Sequence, residues 1–381
     1  MSIMTHRERV VRTLNHKDAD RVPIDLGGFQ TGIMVQTYDR LKKYLKINTK
    51  TEILEPMQQL AVPEEAVLTH FDIDTRYIFP RPAKPWEPVR LEDGSSTYFT
   101  DFGKQKLFKK PHWHYYEFFD YPLAAAGVKD LDAYPYWPDP DLPSRTEGLR
   151  KDIERLYNET DYAIVAVLGS ASMEQAWYLC GLEKFMVDIV QNPNFIEKLL
   201  DKVTSIELSL YEKFLDVTGK YLNVVQLWGD FGGQDGPIIS PDFIRKVVMP
   251  RDKEIVRLIK SKTNAKVMWH SCGAVYDFIP DLINMGIDIL NPVQVSARNM
   301  GDTARLKSEF GRDISFWGGI DTQRVLPFGN LKEVEDEVKT RIDDLSKGGG
   351  YILAAVHNIQ DEVPAENIVA MFETALNHGS K

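Results

Sequence analysis

The chain has 381 residues, of which 43% are hydrophobic and 11% aromatic, and its formal net charge is −10. This composition supplies a large hydrophobic core, and the negative charge disfavours binding to a nucleic-acid backbone. The apolar runs are too short to cross a bilayer and the first residues lack an apolar signal core, so a cytoplasmic protein is expected. The two cysteines, Cys180 and Cys272, lie 92 positions apart, which argues against a disulfide framework.

The first segment predicts a helical extension over about residues 1–20. Thr5 is a suitable N-cap, and Val10, Val11 and Leu14 are expected on one side of the helix. "VPIDLGG" then predicts a first buried strand, followed by a helix over 33–46 and a second strand over 70–79.

An antiparallel β insert is predicted over about residues 86–125. Period-two stretches there are interrupted by Asp93-Gly94 and by the turn at 101–103, which is typical of hairpins. Lysines alternate with aromatic residues over 104–119, so a nucleic-acid surface is an alternative to an exposed hairpin covered by lysine stems. The aromatic run at 113–122 is expected to pack the insert onto the rest of the protein, or else to contact a flat substrate. The proline-rich segment 133–145 predicts a connecting loop.

From residue 162 onward, short β-branched runs alternate with longer stretches of helical spacing. Six strands are predicted, in "YAIVAVLG", "LNVVQLWGD", "AKVMWHSCG", "IDILNPVQ", "DISFWGGID" and "YILAAVHNI". With the two strands near the N-terminus they make eight strand-helix units, which predicts an α/β fold of the TIM (β/α)8 barrel type in a single domain over 1–381. An open doubly wound sheet is the alternative.

Polar residues stand at the ends of these predicted strands, where barrels place their catalytic groups. These residues are Asp230, His270, Cys272, Asn291, Gln294, Asp321, His357 and Asn358. We expect Asn291, Gln294, Asp321 and Asn358 to bind a substrate.

His270 and Cys272 are two positions apart on an extended segment, so their side chains point to the same face. Imidazole nitrogen and thiolate sulfur are the usual zinc donors, and a catalytic zinc has three protein ligands and an open position. His357 is the remaining histidine at a strand end, and we expect it to be the third ligand. Asp230 is predicted as a catalytic acid or base, although Asp230 or Glu174 could instead be the third ligand.

Four segments together resemble the uroporphyrinogen decarboxylase superfamily, and more narrowly its cobamide-dependent methyltransferase branch. They are "THRERVVRTLNHKDADRVPIDLGG", "GDFGGQDGPIISPDFIRKVVMPRDKEIV", "HSCGAVYDFIPDLINMGIDILNPVQ" and "HNIQDEVPAENIVAMFE". The resemblance covers nearly the whole chain and implies a TIM barrel. True decarboxylases of this superfamily carry Arg-Gln-Ala-Gly-Arg near the N-terminus, where this chain has "LGGFQTG". The methyltransferase branch binds zinc through His-x-Cys and a distant cysteine, and His357 occupies the position of that cysteine here.

The resemblance implies a zinc-dependent methyltransferase. Two imidazoles and one thiolate leave about one net positive charge on zinc, which favours a substrate that binds through oxygen or nitrogen. We therefore expect demethylation of an aryl methyl ether, with the methyl group moving to the Co(I) corrinoid of a partner protein, because no corrinoid-binding Asp-x-His-x-x-Gly segment occurs in the chain. A homo-oligomer is compatible with the sequence, and the alternative function is a barrel without metal that binds a folate or a small carboxylic acid.

Overall fold

The structure, a computed structural model, describes residues 4–83, 89–90, 96–108 and 115–380. The strands of the described residues form two sheets and a short β ribbon. In chain order the strands are β1 (Ile53–Glu55), β2 (Leu60–Ala61), β3 (Thr75–Ile78), β4 (Val89–Arg90), β5 (Ser96–Thr100), β6 (Gly103–Phe108), β7 (Glu117–Asp120), β8 (Ala163–Ser170), β9 (Val224–Trp228), β10 (Lys266–His270), β11 (Ile289–Asn291), β12 (Ser315–Trp317) and β13 (Tyr351–Ile352).

The main sheet has seven parallel strands in the order β13-β12-β11-β10-β9-β8-β3. The segment around Ile24 joins its two edges. Asp25 N donates to Leu353 O at 2.9 Å on one side, and Asp74 N donates to Ile24 O at 3.0 Å on the other. The sheet therefore closes on itself, which confirms the predicted α/β barrel and excludes the open sheet. The predicted first strand was too long, since Ile24 forms one parallel bridge there and no regular strand.

Most helices lie between barrel strands in the chain and form the outer layer, whereas α1 precedes the strands. In chain order they are α1 (His6–Leu14), α2 (Val35–Tyr44), α3 (Glu65–His70), α4 (Val128–Ala133), α5 (Leu149–Glu159), α6 (Ser172–Cys180), α7 (Leu182–Gln191), α8 (Pro193–Thr218), α9 (Pro241–Phe243), α10 (Met249–Lys262), α11 (Ile279–Met285), α12 (Thr303–Phe310), α13 (Val325–Phe328), α14 (Leu331–Leu345) and α15 (Ala365–His378). None of these helices combines the length and apolar character needed to cross a membrane.

The N-terminal helix α1 packs against the interior of the barrel. Thr5 caps it in a reciprocal capping box with Glu8, as the sequence predicts for the N-cap. Val10 and Leu14 are buried in one cluster with inward-facing strand residues such as Met268. Val11 was wrongly placed on the same side, because its side chain is 39% exposed. The helix therefore contributes directly to the core inside the barrel.

The insert forms a four-stranded antiparallel sheet in the order β4-β5-β6-β7, which confirms the predicted β insert. Asp101 pairs with Arg145 at 2.5 Å, and Tyr116 N donates to Met57 O at 2.8 Å. Phe118 contacts Tyr178 on α6, with 5.6 Å between ring centroids. These contacts tie the insert to the rest of the chain. The prediction of a basic surface over 104–119 stays untested, because residues 109–114 lie outside the described residues.

Replacing Leu14 with alanine tests the packing of α1 against the barrel interior. Leu14 is 3% exposed, so we expect the free energy of unfolding to fall by about 2–5 kcal/mol. The matched control is Val11→Ala on the exposed side of the same helix, which should change it by less than about 0.5 kcal/mol. Urea denaturation of both variants measures the difference; equal losses would show that α1 does not fill the core.

Candidate metal centre

The carboxyl ends of neighbouring barrel strands bring several of the predicted site residues together. Trp228, His270 and Asn291 are register partners on β9, β10 and β11. Met268 faces the barrel interior, so His270, two residues further along β10, faces the same way. Beyond the strand, Ser271 N donates to Asn291 O at 2.8 Å, which keeps the chain beside β11 as it leads to Cys272.

His270, Cys272 and His357 bring their donor atoms within 4.8 Å of one another. Nε2 of His270 lies 3.4 Å from Sγ of Cys272, and the two imidazole centroids are 5.4 Å apart. Within the described ranges, this is the one group of three or more His, Cys, Asp or Glu side chains with such spacing. Each residue can offer one donor atom to the same small volume, so the group can hold a metal ion.

Asn291 fixes the orientation of the His270 ring. Its Nδ2 donates to Trp317 O at 3.2 Å, so Oδ1 faces Nδ1 of His270 at 2.5 Å and accepts a hydrogen bond from its N–H. This tautomer leaves the lone pair of His270 on Nε2, the atom that faces Cys272. Trp317 is anchored in turn, because its Nε1 donates to the buried Asp25 carboxylate at 3.0 Å. The His270 ring is therefore held by a hydrogen-bonded chain that reaches the barrel interior.

Burial keeps the three donors uncharged. It lowers the pKa of His270 to about 4, and burial together with the nearby His270 lowers the pKa of His357 to about 4. Burial raises the pKa of the Cys272 thiol well above its usual range, and the carboxyls of Asp230 and Glu174 add to that effect. At neutral pH the imidazoles are consequently free bases, whereas the thiol keeps its proton until a cation stabilises the thiolate.

Two carboxyl groups lie next to the donors. Asp230 Oδ1 accepts from Cys272 N at 2.7 Å, which holds the loop that carries the thiol. Glu174 accepts from Tyr178 OH at 2.7 Å and from Asp230 N at 3.3 Å. Burial and then the charge of Asp230 raise the pKa of Glu174 to about 8, and burial raises the pKa of Asp230. At neutral pH this pair is arranged to keep a proton beside the donors.

The side chains of the other predicted site residues form hydrogen bonds with other groups of the protein. Gln294 Oε1 accepts from Gly273 N at 2.6 Å, so it supports the loop after Cys272. Asn358 accepts from Gly32 N at 2.8 Å and donates to Phe29 O at 2.7 Å and to Gln58 Oε1 at 2.9 Å. Asp321 accepts from Gln323 N at 2.8 Å, and its charge acts on Glu337 of the outer helix α14. None of these bonds joins Asp321 to the three donors.

Sequence reasoning did not identify Tyr178, Gln58 or the orienting role of Asn291. Tyr178 follows Glu174 by four positions on α6, and that spacing was the available signal for their contact. Gln58 lies in the loop between β1 and β2, far along the chain from Asn358, and no periodicity predicts that pair.

The family model described as uroporphyrinogen decarboxylase (URO-D) matches residues 120–378, about two thirds of the chain. Among curated proteins, the uroporphyrinogen decarboxylase of Crocosphaera subtropica is 27% identical over 187 residues, which are 48% of each chain. That of Actinobacillus succinogenes is 22% identical over 194 residues, 50% of each. The chain thus spans about half the length of the curated relatives it matches.

Among solved structures, a methyltransferase from Methanosarcina mazei matches with a TM-score of 0.64 at 17% identity. The match covers 98% of this chain and 99% of that one, so the two proteins share the barrel fold along their whole length. The match of the family model over about two thirds of the chain establishes that the chain belongs to the uroporphyrinogen decarboxylase family.

Proposed function

We propose that this protein is a zinc-dependent methyltransferase that moves a methyl group from a small methylated substrate to the Co(I) corrinoid of a partner protein. The observation that carries the proposal is the convergence of the donors of His270, Cys272 and His357 within 4.8 Å at the carboxyl end of the barrel. The shared fold with a methyltransferase of low sequence identity is consistent with it.

The donor set suits zinc. Two neutral imidazole nitrogens and one thiolate sulfur are donors that zinc accepts, and three protein ligands leave a fourth position for a substrate. Asn291 supplies the hydrogen bond from outside the donor set that ligand histidines usually have. Asp230 and Glu174 remain the alternative third ligands, but Asp230 Oδ1 is engaged by Cys272 N and Glu174 by Tyr178.

Decarboxylation of a porphyrinogen is less well supported. A substrate with several carboxylates needs cationic partners, and the bonds of the three donors, Asp230 and Glu174 involve no Arg or Lys side chain in the ranges that the structure describes. The pKa shifts of these groups arise chiefly from burial and from neighbouring carboxyl and imidazole groups, and no Arg or Lys charge is among their causes. Such surroundings favour a cation in the site and disfavour a polyanion.

Zinc bound there would supply Lewis acidity toward the oxygen of an aryl methyl ether, the leading substrate. His270, Cys272 and His357 would hold the ion, and Asn291 would keep Nε2 of His270 turned toward it. A Co(I) corrinoid on the partner protein would supply the acceptor for the methyl carbon. The carbon–oxygen bonding pair would stay on the ether oxygen, which would need one proton. Asp230, whose pKa is raised by burial, would be the acid for this step, and Glu174 beside it, with a pKa of about 8, would hold a proton at neutral pH.

The alternative is a barrel without metal that binds a folate or a small carboxylic acid through its polar strand ends. It would use Asp230 with Asn291 and Gln294 as substrate contacts. The hydrogen bonds of these three side chains to Cys272 N, His270 and Gly273 N leave them little capacity for a ligand. We therefore rank it second.

Replacing Cys272 with alanine should remove both zinc and methyl transfer to a corrinoid protein. The matched control is Cys180→Ala, since Cys180 is the other cysteine and is buried away from the donors. Zinc content by mass spectrometry and transfer from 2-methoxyphenol to a reduced corrinoid protein are the two measurements. Full transfer by zinc-free C272A would contradict the mechanism.

Replacing Asn291 with alanine should weaken zinc binding by roughly 10- to 100-fold, because the imidazole of His270 loses the group that orients it. Asp321→Asn is the control, since Asp321 makes no bond to the donors. Competition with a fluorescent zinc chelator gives the affinities. Unchanged affinity in N291A would contradict the positioning role.

Zinc binding at pH 7 should release protons from defined groups. Both imidazoles have pKa values of about 4 and are already deprotonated, whereas the Cys272 thiol, with its raised pKa, must lose its proton. Glu174, with a pKa of about 8, should add a further fraction when the cation lowers that value. Calorimetry in buffers of different ionisation enthalpy should therefore count more than one proton in the wild type and about one in Glu174→Gln. Release of no proton would argue against a thiolate ligand.

A further inference from the structure

Three aromatic side chains, Phe29, Phe79 and Trp228, form a continuous row that we call the aromatic wall. Phe29 stacks on Phe79 with 4.7 Å between centroids and an interplanar angle of 28°. Trp228 meets Phe29 edge to face at 6.1 Å and 82°. The three residues come from different elements, since Phe79 follows β3, Trp228 ends β9 and Phe29 lies in the loop after the Ile24 segment.

The aromatic wall begins beside the metal donors. Trp228 is the register partner of His270, and both residues face the barrel interior at the ends of adjacent strands. At the other side, the carbonyl of Phe29 accepts from Asn358, the neighbour of His357 in the chain. The wall is therefore linked to the donors at two places, through the pairing of Trp228 with His270 and through the bond of Asn358 to Phe29.

The wall is also open and rigid. Phe29, Phe79 and Trp228 are partly exposed, whereas Trp317 in the core inside the barrel is fully buried. The loop that carries Phe29 is held close to Tyr77. A Cβ on Gly28, whose φ is +69°, would lie 2.6 Å from that ring, so the tight approach requires glycine. Exposed rings on a fixed loop form a surface on which a flat ligand can stack with little ordering cost.

The geometry points to the aromatic wall as the part of the site that selects the substrate: it binds an uncharged methoxyarene by stacking and places its ether oxygen beside His270 and His357. This inference rests on the proposed function and adds the residues that determine specificity. A methylated ammonium ion would also suit aromatic rings, but it would be repelled by the net positive charge of a zinc held by two imidazoles and one thiolate. An arene that carries a carboxylate has no cationic partner among the described residues bonded to the donors.

The test is calorimetric binding of 2-methoxyphenol to the zinc-loaded full chain without any corrinoid protein. Trp228→Leu and Phe79→Leu should each bind it roughly tenfold more weakly, with zinc content unchanged. Trp228→Phe, which keeps a ring, should retain most of the affinity, and this variant separates stacking from a general loss of structure. The control is Phe328→Leu, an aromatic replacement at a site that is 76% exposed on the outside of the barrel, and its affinity should equal that of the wild type.

Two results would overturn the inference: equal affinity in the wild type, W228L and F79L, or tighter binding of trimethylammonium or 3-methoxybenzoate than of 2-methoxyphenol. Because no corrinoid is present, the outcome is separate from that of the proposed function. Binding without methyl transfer would remove the proposed function and leave an arene site. Methyl transfer from another donor, without binding of 2-methoxyphenol, would leave the methyltransferase and remove the role of the aromatic wall.

Discussion

The convergence of parallel strand ends is the constraint on which the site depends. His270 ends β10, Cys272 follows two residues later, and His357 comes from a segment more than 80 positions further along the chain, yet their donor atoms lie within 4.8 Å. A closed barrel brings the carboxyl ends of all its strands to one mouth, so distant residues meet there without a long loop. The bonds of the Ile24 segment to both sheet edges therefore also help to bring these donors together.

The polar side chains around the donors position different parts of the site. Asn291 orients the His270 ring. Asp230 accepts a hydrogen bond from Cys272 N, and Gln294 accepts one from Gly273 N, so both fix the loop after β10. Asn358 anchors the loop that carries Phe29. The protein thus uses its polar strand ends largely to position other groups. The mouth therefore combines a buried, uncharged donor set, a carboxyl pair that keeps a proton, and partly exposed aromatic rings. Such a site suits a cation held by the protein and a neutral, flat ligand beside it.

The sequence predicts the fold better than it predicts roles within the site. Alternation of β-branched runs with helical spacing indicated the barrel, and turn residues indicated the β insert, because both signals are local. The spacing of His270 and Cys272 and the strand-end position of His357 were sufficient to predict that the three side chains meet, because a barrel brings the carboxyl ends of its strands to one mouth. Hydrogen bonds such as Asn358 to Gln58 were not predictable, because they depend on how loops from distant parts of the chain pack. For the same reason Asn291 was expected to contact a substrate, whereas its side chain bonds to His270.

X-ray absorption at the zinc edge of the purified protein would identify the donor atoms themselves. We expect one sulfur at about 2.3 Å and a shell of nitrogen or oxygen at about 2.0 Å that shows imidazole scattering. A shell without sulfur, or a protein that takes up no zinc, would contradict this expectation.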